Sequence, residues 1–391
     1  MMVYKNEMVI RMKVLHTSDL HLGKRVHGYS MTEDQRHILD GIVGIVRERK
    51  PDAMLIAGDV YDRAVPTEEA VRMFGDFLER VTAEGCEVYV ISGNHDSGAR
   101  LEFCGPILGR SGVHIAGEFS GRAERIDTED EYGKLSIYML PYFKVSEVRT
   151  LMDADVQGYG GAMDLVMRES GVDPAGRNIL VAHQFFAGSG LPQTSESEEQ
   201  RPEVGGIECI PVDSLAAFDY VALGHLHIPQ RVGRDTVRYS GSPLKYSGSE
   251  ALTPKSVVLA DIRGKGDVSV ELVPLVPLRD LRVLRGSLDD IVRAGLGEVT
   301  GRDDYIIAEL SEAPGQGVSE LYKVYPHTMN VTVAPRDRPS GTPGAVEMDR
   351  AVTVHPADLF AEFYRDMTGE DLSDYQREIL KDCIYVGGGE E

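Results

Sequence analysis

The chain has 391 residues and a formal net charge of −22, with 42% apolar residues, 42 glycines and 19 prolines. That length suits one large core with one or two smaller units, and the composition excludes a disordered or fibrous chain. No apolar run reaches the ~18 residues of a membrane span, MMVYKNEMVIRMKVLH lacks the apolar centre of a signal peptide, and the reading is cytoplasmic.

Four cysteines, Cys86, Cys104, Cys209 and Cys383, lie scattered without CxxC spacing, which argues for reduced thiols rather than a zinc ribbon or a disulfide framework. The negative charge counts against a nucleic-acid partner, since phosphate binding recruits Lys and Arg. Much of the acid, however, lies in TSESEEQRPE (194–203) and the C-terminal region, which need not touch a substrate, and bound divalent ions make a site locally cationic.

In chain order, MKVLHTSD (12–19) reads as a strand, and 31–50 as an amphipathic helix capped by Thr32. DAMLIAGD (52–59) is a buried strand, 67–85 a helix ended by Gly85, and CEVYVISGNHD (86–96) a third strand. This βαβαβ alternation predicts a partly parallel sheet covered on both faces, with ligand-type residues at the carboxyl ends of its strands. Further strands are expected at 134–142, 178–186, 218–227, 236–242 and 255–262.

Beyond Pro274 and Pro277 the texture changes, and the expected division is a main domain over 12–272 and a small α/β unit over 275–336. A linker over 337–355 and a helical segment over 356–386 complete it. In the last segment Leu359, Phe360, Phe363 and Tyr364 form an apolar face suited to a groove on a partner.

Five strand ends carry metal-ligating residue types. Asp19 and His21 close the first in SDLH, Asp59 the second, Asn94 and His95 the third, His183 a fourth, and His225 and His227 a fifth. On extended chain, residues i and i+2 share a face, so both the SDLH and the GHLH pairs are expected to converge. Singly, each has a bland explanation: a turn, a cap or a hydrogen-bonded core histidine. Independent accidents on successive strand ends of a single sheet are a poor explanation of the series.

The order DxH, GDxxD, GNHD, H, GHxH resembles the calcineurin-like metallophosphoesterase superfamily. The flanking SDLHLGKRVHG, AGDVYDR, SGNHDSGARL, DYVALGHLHIPQ and YSGSPLKYSGSE are similar to its SbcD family of nuclease subunits, from about Met12 to about Leu380. The resemblance implies an α/β metallophosphoesterase fold: two packed mixed β-sheets flanked by helices, a small capping domain for DNA, and a C-terminal helical segment.

It implies one divalent metal on Asp19, His21 and His227, a second on Asn94, His183 and His225, and Asp59 bridging. It implies His95 facing the scissile phosphate with Asp96 orienting it, and Asp62 in support. Mixed O/N donors without thiolate suit Mn²⁺, although Zn²⁺ or Ni²⁺ also fits such a site. Two such ions against Asp19 and Asp59 leave about +2.

Lys24 and Arg25 are expected as DNA-backbone contacts. The implied partners are DNA, an SbcC-type ABC ATPase that docks on 356–386, and a second copy of the chain through helix 67–85 and the region of Leu101 and Phe103. The implied activity is a metal-dependent DNA phosphodiesterase, an exonuclease on duplex ends and an endonuclease on single strands or hairpins. The alternatives are a phosphodiesterase of small phosphoesters and a noncatalytic scaffold, against which every ligand position is filled.

Overall fold

Apolar runs such as Ala53–Ala57 and Arg177–His183 show no in–out alternation because both faces of their sheets are buried. In the computed structural model, which describes residues 12–198, 209–313 and 317–333 together with Ser373 and Gln376, the period of two sorts these runs into different cores. Leu55, Tyr89, Ile179 and Tyr220 point into a slab between two sheets. Met54, Ile56, Val88 and Val90 point outward against the helices Thr32–Arg49 and Glu68–Ala83. Leu180, Val221 and Leu223 face the helix Gly158–Glu169 on the other side. The result is a four-layer arrangement of helix, sheet, sheet and helix.

The first sheet has six strands in the order Val268–Pro274, Ser256–Ile262, Met12–Thr17, Ala53–Ala57, Glu87–Ile91, Val113–Ala116. Its last four strands are mutually parallel, and Ser256–Ile262 joins antiparallel. The second, also six-stranded, runs Gln230–Val232, Arg234–Tyr239, Tyr220–Gly224, Arg177–His183, Gly133–Leu140, Glu124–Asp130, with its middle four parallel. The ligand-type residues therefore do not come from a single sheet. Asp19, His21, Asp59, Asn94 and His95 follow strands of the first, and His183, His225 and His227 belong to the second.

Leu281–Gly286, Tyr305–Leu310 and Thr328–Val333 form a parallel three-stranded sheet with the helices Leu288–Gly297 and Val318–Val324. Its Leu281, Tyr305, Ile307 and Met329 join the core on the outer face of the first sheet. Two polar bonds add to this contact: Tyr305 Oη donates to Asp34 at 2.7 Å, and Tyr29 Oη to the Thr328 carbonyl at 3.1 Å.

The chain divides into two compact units, Met1–Pro335 and Arg336–Glu391. In the second, the Ser373 hydroxyl donates to Gln376 Oε1 at 2.9 Å. The expected linker and the segment carrying Leu359, Phe360, Phe363 and Tyr364 lie outside the described residues. Among the described residues, Cys86 and Cys104 are free thiols, and no helix is long and apolar enough to cross a membrane.

Helix Thr32–Arg49 is not capped by Thr32, which is its first helical residue. Met31 occupies the cap position without a side-chain bond, and Glu33 and Asp34 supply the favourable negative charge of the first turn. Thr67 does cap its helix, accepting from the Ala70 N–H at 3.2 Å.

Candidate metal centre

The carboxyl ends of the parallel strands in both sheets open onto one buried cluster. The sheets meet there so closely that a Cβ on Gly224 would lie 1.8 Å from the Ala57 carbonyl oxygen. A Cβ on Gly93 would lie 2.1 Å from Asp59 Oδ1. These glycines admit the backbone approach that brings ligands of both sheets together.

The polar side chains do not leave extended chain, as the i, i+2 argument expected. Asp19, His21, Asp59 and His225 have φ of 52°, 44°, 50° and 99°, in the left-handed region that costs non-glycine residues on the order of 1–3 kcal/mol each. Sharp turns after each strand, not the pleat, aim these groups. Hydrogen bonds hold the turns: Asp19 N–H donates to the Gly58 carbonyl and His21 N–H to the Asp59 carbonyl, both at 3.0 Å. The Asp19 carboxylate accepts the His225 N–H at 3.0 Å, and Asp59 Oδ1 the His95 N–H at 2.9 Å.

Two groups of donor atoms result. His21 Nε2 lies 3.1 Å from His227 Nε2 and 3.6 Å from Asp59 Oδ2, and Asp19, His21 and His227 form one compact ligand set. In the other, Asn94 Oδ1 lies 3.2 Å from His183 Nε2 and 3.1 Å from His225 Nδ1. His183 Nε2 is also 3.3 Å from Asp59 Oδ2, so Asp59 adjoins both groups. His225 and His227 thus serve different halves of the cluster. Two imidazole nitrogens opposed at 3.1 Å among buried carboxylates form a donor set that fits a cation.

Electrostatics separate these groups. Burial pushes His225 down to about 3, aided by the neighbouring His183. For His183 burial works the same way, but the Asp59 and Asp19 carboxylates override it and lift the imidazole to about 9. Burial opposes charge on Asp59, yet His183 and His21 hold it well below the usual carboxylate range, while burial raises Asp19. His183 Nδ1 donates to the Ala57 carbonyl at 2.7 Å, which turns Nε2 toward Asp59.

His95 and Asp96 sit beside this cluster. The acceptor at His95 Nδ1 is the Asp62 carbonyl, at 3.0 Å. Asp96 accepts the Val60, Tyr61 and Gly93 N–H groups at 3.0, 2.9 and 2.9 Å, and so ties the Asp59 loop to the Asn94 loop. Burial lifts its carboxyl to about 6, with Asp59 adding to the effect.

The expected phosphate contacts are already engaged. Lys24 Nζ pairs with Asp62 Oδ1 at 2.7 Å and lies over the Tyr246 ring, while the Arg25 guanidinium donates to the Gly28 carbonyl. His16, structural by its place in a core strand, lies between the sheets, bonded to Tyr220 Oη at 3.0 Å and the Leu223 carbonyl at 3.2 Å.

Sequence reasoning missed the part played by Ser197 and Glu198. Their acidic stretch reads as remote from the site, whereas Ser197 Oγ lies 2.6 Å from His227 Nδ1 and Glu198 Oε1 accepts the His227 N–H at 2.8 Å. Glu250 and Lys255, both buried and paired at 2.6 Å, back the same histidine. Burial opposes charge on Glu250, and Lys255 overrides it and keeps its carboxyl below the ordinary range. The recurrence of Ser-x-Ser-Glu or Ser-Gly-Ser-Glu at 195–198 and 247–250 is the available signal.

The family model for calcineurin-like phosphoesterases matches residues 12–229, and the chain belongs to that family. Within it the chain falls with SbcD: it is 31% identical over 380 residues to the SbcD subunit of nuclease SbcCD from Staphylococcus epidermidis, covering 95% of this chain and 98% of that relative. Among solved structures it is similar to a dimetal phosphatase from Danio rerio, at TM-score 0.40 and 11% identity, over 69% of this chain and 99% of the other. It is also similar to GAP50, the anchor in the inner membrane complex of Plasmodium, at TM-score 0.38 and 12% identity, over 85% and 99%.

Proposed function

We propose that the chain is a metal-dependent DNA phosphodiesterase, cutting duplex ends as an exonuclease and single strands or hairpins as an endonuclease, with an SbcC-type ABC ATPase as partner. The observation that carries this reading is the pair of donor groups sharing Asp59, set in a chain that is similar to an SbcD nuclease subunit over 95% of its length. Asp19, His21 and His227 would hold one divalent ion and Asn94, His183 and His225 the other, with Asp59 between them and Mn²⁺ the preferred metal. Two such ions, when bound, supply Lewis acidity to the phosphoryl oxygens and activate water near neutral pH.

The protein's own groups do the rest. With Nδ1 donating to the Asp62 carbonyl, His95 turns its Nε2 edge toward the centre, 4.0 Å from Asp59 Oδ2. There it is suited to meet the phosphate or to deliver a proton to the leaving oxygen. Asp96 holds the two loops in register by its three backbone bonds. The three-stranded α/β unit serves as the DNA cap and residues 356–386 as the ATPase dock. Exposed Val71, Phe103 and Ile107, with a groove of about 400 Å³ between Phe74, Leu78, Leu101 and Leu108, support dimerisation on that face.

The test is cleavage of end-labelled duplex and hairpin DNA with Mn²⁺, against EDTA and against His95→Ala, with bis-p-nitrophenyl phosphate in parallel. Metal-dependent cutting that the variant loses supports the nuclease. Hydrolysis of the small ester with DNA untouched, even with the ATPase and ATP present, assigns the site to small phosphoesters instead.

A further inference from the structure

Consecutive residues of one loop close on His227 from two sides, Ser197 at the ring and Glu198 at the backbone N–H. On its far side Ser197 Oγ donates to Glu250 Oε1 at 2.5 Å. Glu250 Oε2 meets the Lys255 ammonium at 2.6 Å, and that ammonium also donates to the His227 carbonyl at 2.8 Å. The loop is fastened to the turn bearing Glu250, since the Glu196 N–H donates to Ser249 Oγ at 2.9 Å.

Chemistry fixes the direction of these bonds. An ammonium has donors only, and an ionised carboxylate accepts only. Ser197 therefore commits its single hydrogen to Glu250 and offers a lone pair to Nδ1, which must carry the imidazole proton. The proton-free nitrogen is then Nε2, the atom that faces His21 Nε2 at 3.1 Å. Glu250 cannot do this directly, because its oxygen lies 3.7 Å from Nδ1, beyond hydrogen-bond reach. The hydroxyl is the required intermediate.

We propose that the loop segment carrying Ser197 and Glu198 is a clasp that positions His227 as an Nε2 metal ligand, through the chain Lys255, Glu250, Ser197. It rests on the reading of His227 as a ligand given above. A hydrogen bond on the noncoordinating nitrogen sets the tautomer, plane and basicity of a ligating histidine. Because the clasp and the cation act on the same ring, each strengthens the other.

The experiment titrates the EDTA-treated full chain with Mn²⁺ by calorimetry and follows hydrogen exchange of residues 188–198. Wild type is compared with Ser197→Thr and Ser197→Val, which share a shape and differ in the hydroxyl. Ser197→Val weakens one of two Mn²⁺ sites by roughly 10–100-fold and spares the other, while Ser197→Thr stays near wild type. Mn²⁺ slows exchange in 188–198 for wild type and Ser197→Thr, and has little effect there in Ser197→Val. Equal Mn²⁺ affinity in the two variants overturns the clasp, as does parallel weakening of both sites. A wild-type chain that binds no Mn²⁺ removes the ligand reading itself, an outcome distinct from failure of the clasp alone.

Discussion

His21 and His227, from different sheets and both buried, point Nε2 at Nε2 across 3.1 Å. Two lone pairs so placed repel unless a proton or a cation lies between them, so a cation bound there stabilises the folded chain. Mn²⁺ at a hundredfold excess over its dissociation constant adds ~2.7 kcal/mol, which raises the unfolding temperature by several degrees. Scanning calorimetry with and without EDTA measures the rise, and Asp59→Ala abolishes it. A wild-type midpoint indifferent to Mn²⁺ removes the case for a cation here.

His95 closes a compact set with His21 and Asp59, which by geometry alone also qualifies as a ligand set. Its Nδ1 bond to the Asp62 carbonyl instead fits a residue that serves the phosphate. His95→Ala keeps two Mn²⁺ per chain by elemental analysis and loses about 10²–10⁴ in hydrolysis rate. Loss of one ion in that variant would reassign His95 as a ligand.

The small α/β unit is fastened through Asp34, a buried carboxylate that accepts Tyr305 Oη at 2.7 Å and Arg279 Nη1 at 3.2 Å. Arg279→Ala leaves Asp34 with the Tyr305 hydroxyl alone, at a cost of about 1–3 kcal/mol. Amide exchange in Tyr305–Leu310 accelerates, DNA cleavage falls, and hydrolysis of bis-p-nitrophenyl phosphate stays within about twofold, since the metal centre is untouched. Equal losses on both substrates would deny the unit a role in handling DNA.

Burial drives His16 down to about 3 from the ordinary 6.5, against the opposing bond to the Leu223 carbonyl. The unfolded chain takes up this proton first. The neutral ring's stabilisation is complete above pH 6.5 and is lost as pH falls from 6.5 toward 3, at about 1.4 kcal/mol per unit. In urea unfolding at saturating Mn²⁺, His16→Asn flattens the decline of stability between about pH 6.5 and 4.5. An unchanged slope would mean that the loss arises elsewhere.

How far the sequence foretold this arrangement depends on where each signal lies. Asp59, Asn94 and His183 were legible because ligand-type residues end apolar runs, which marks them whatever the tertiary fold. The division into two sheets was not legible from the runs themselves, since a strand buried on both faces reads alike in either. Glu124–Asp130 went unseen because an exposed edge strand carries charge rather than an apolar period. The left-handed turns at Asp19 and His225 replaced the i, i+2 logic, because backbone direction there answers to tertiary contacts. Ser197 acts through a neighbour thirty positions away, and an acidic polar loop looks the same in sequence whether it faces water or a histidine.

The near contact of Gly224 with Ala57 makes the apolar slab between the sheets a ruler for catalysis. Each of the two proposed ligand groups draws on both sheets, and a slip by one residue, ~3.3 Å, is close to the separation of two metals in a dinuclear centre. Residues such as Ile137 and Tyr89, which belong to neither ligand group and lie within the slab, therefore set the gauge of the chemistry. Enlarging one of them shifts the spacing of the donors while every ligand remains in place.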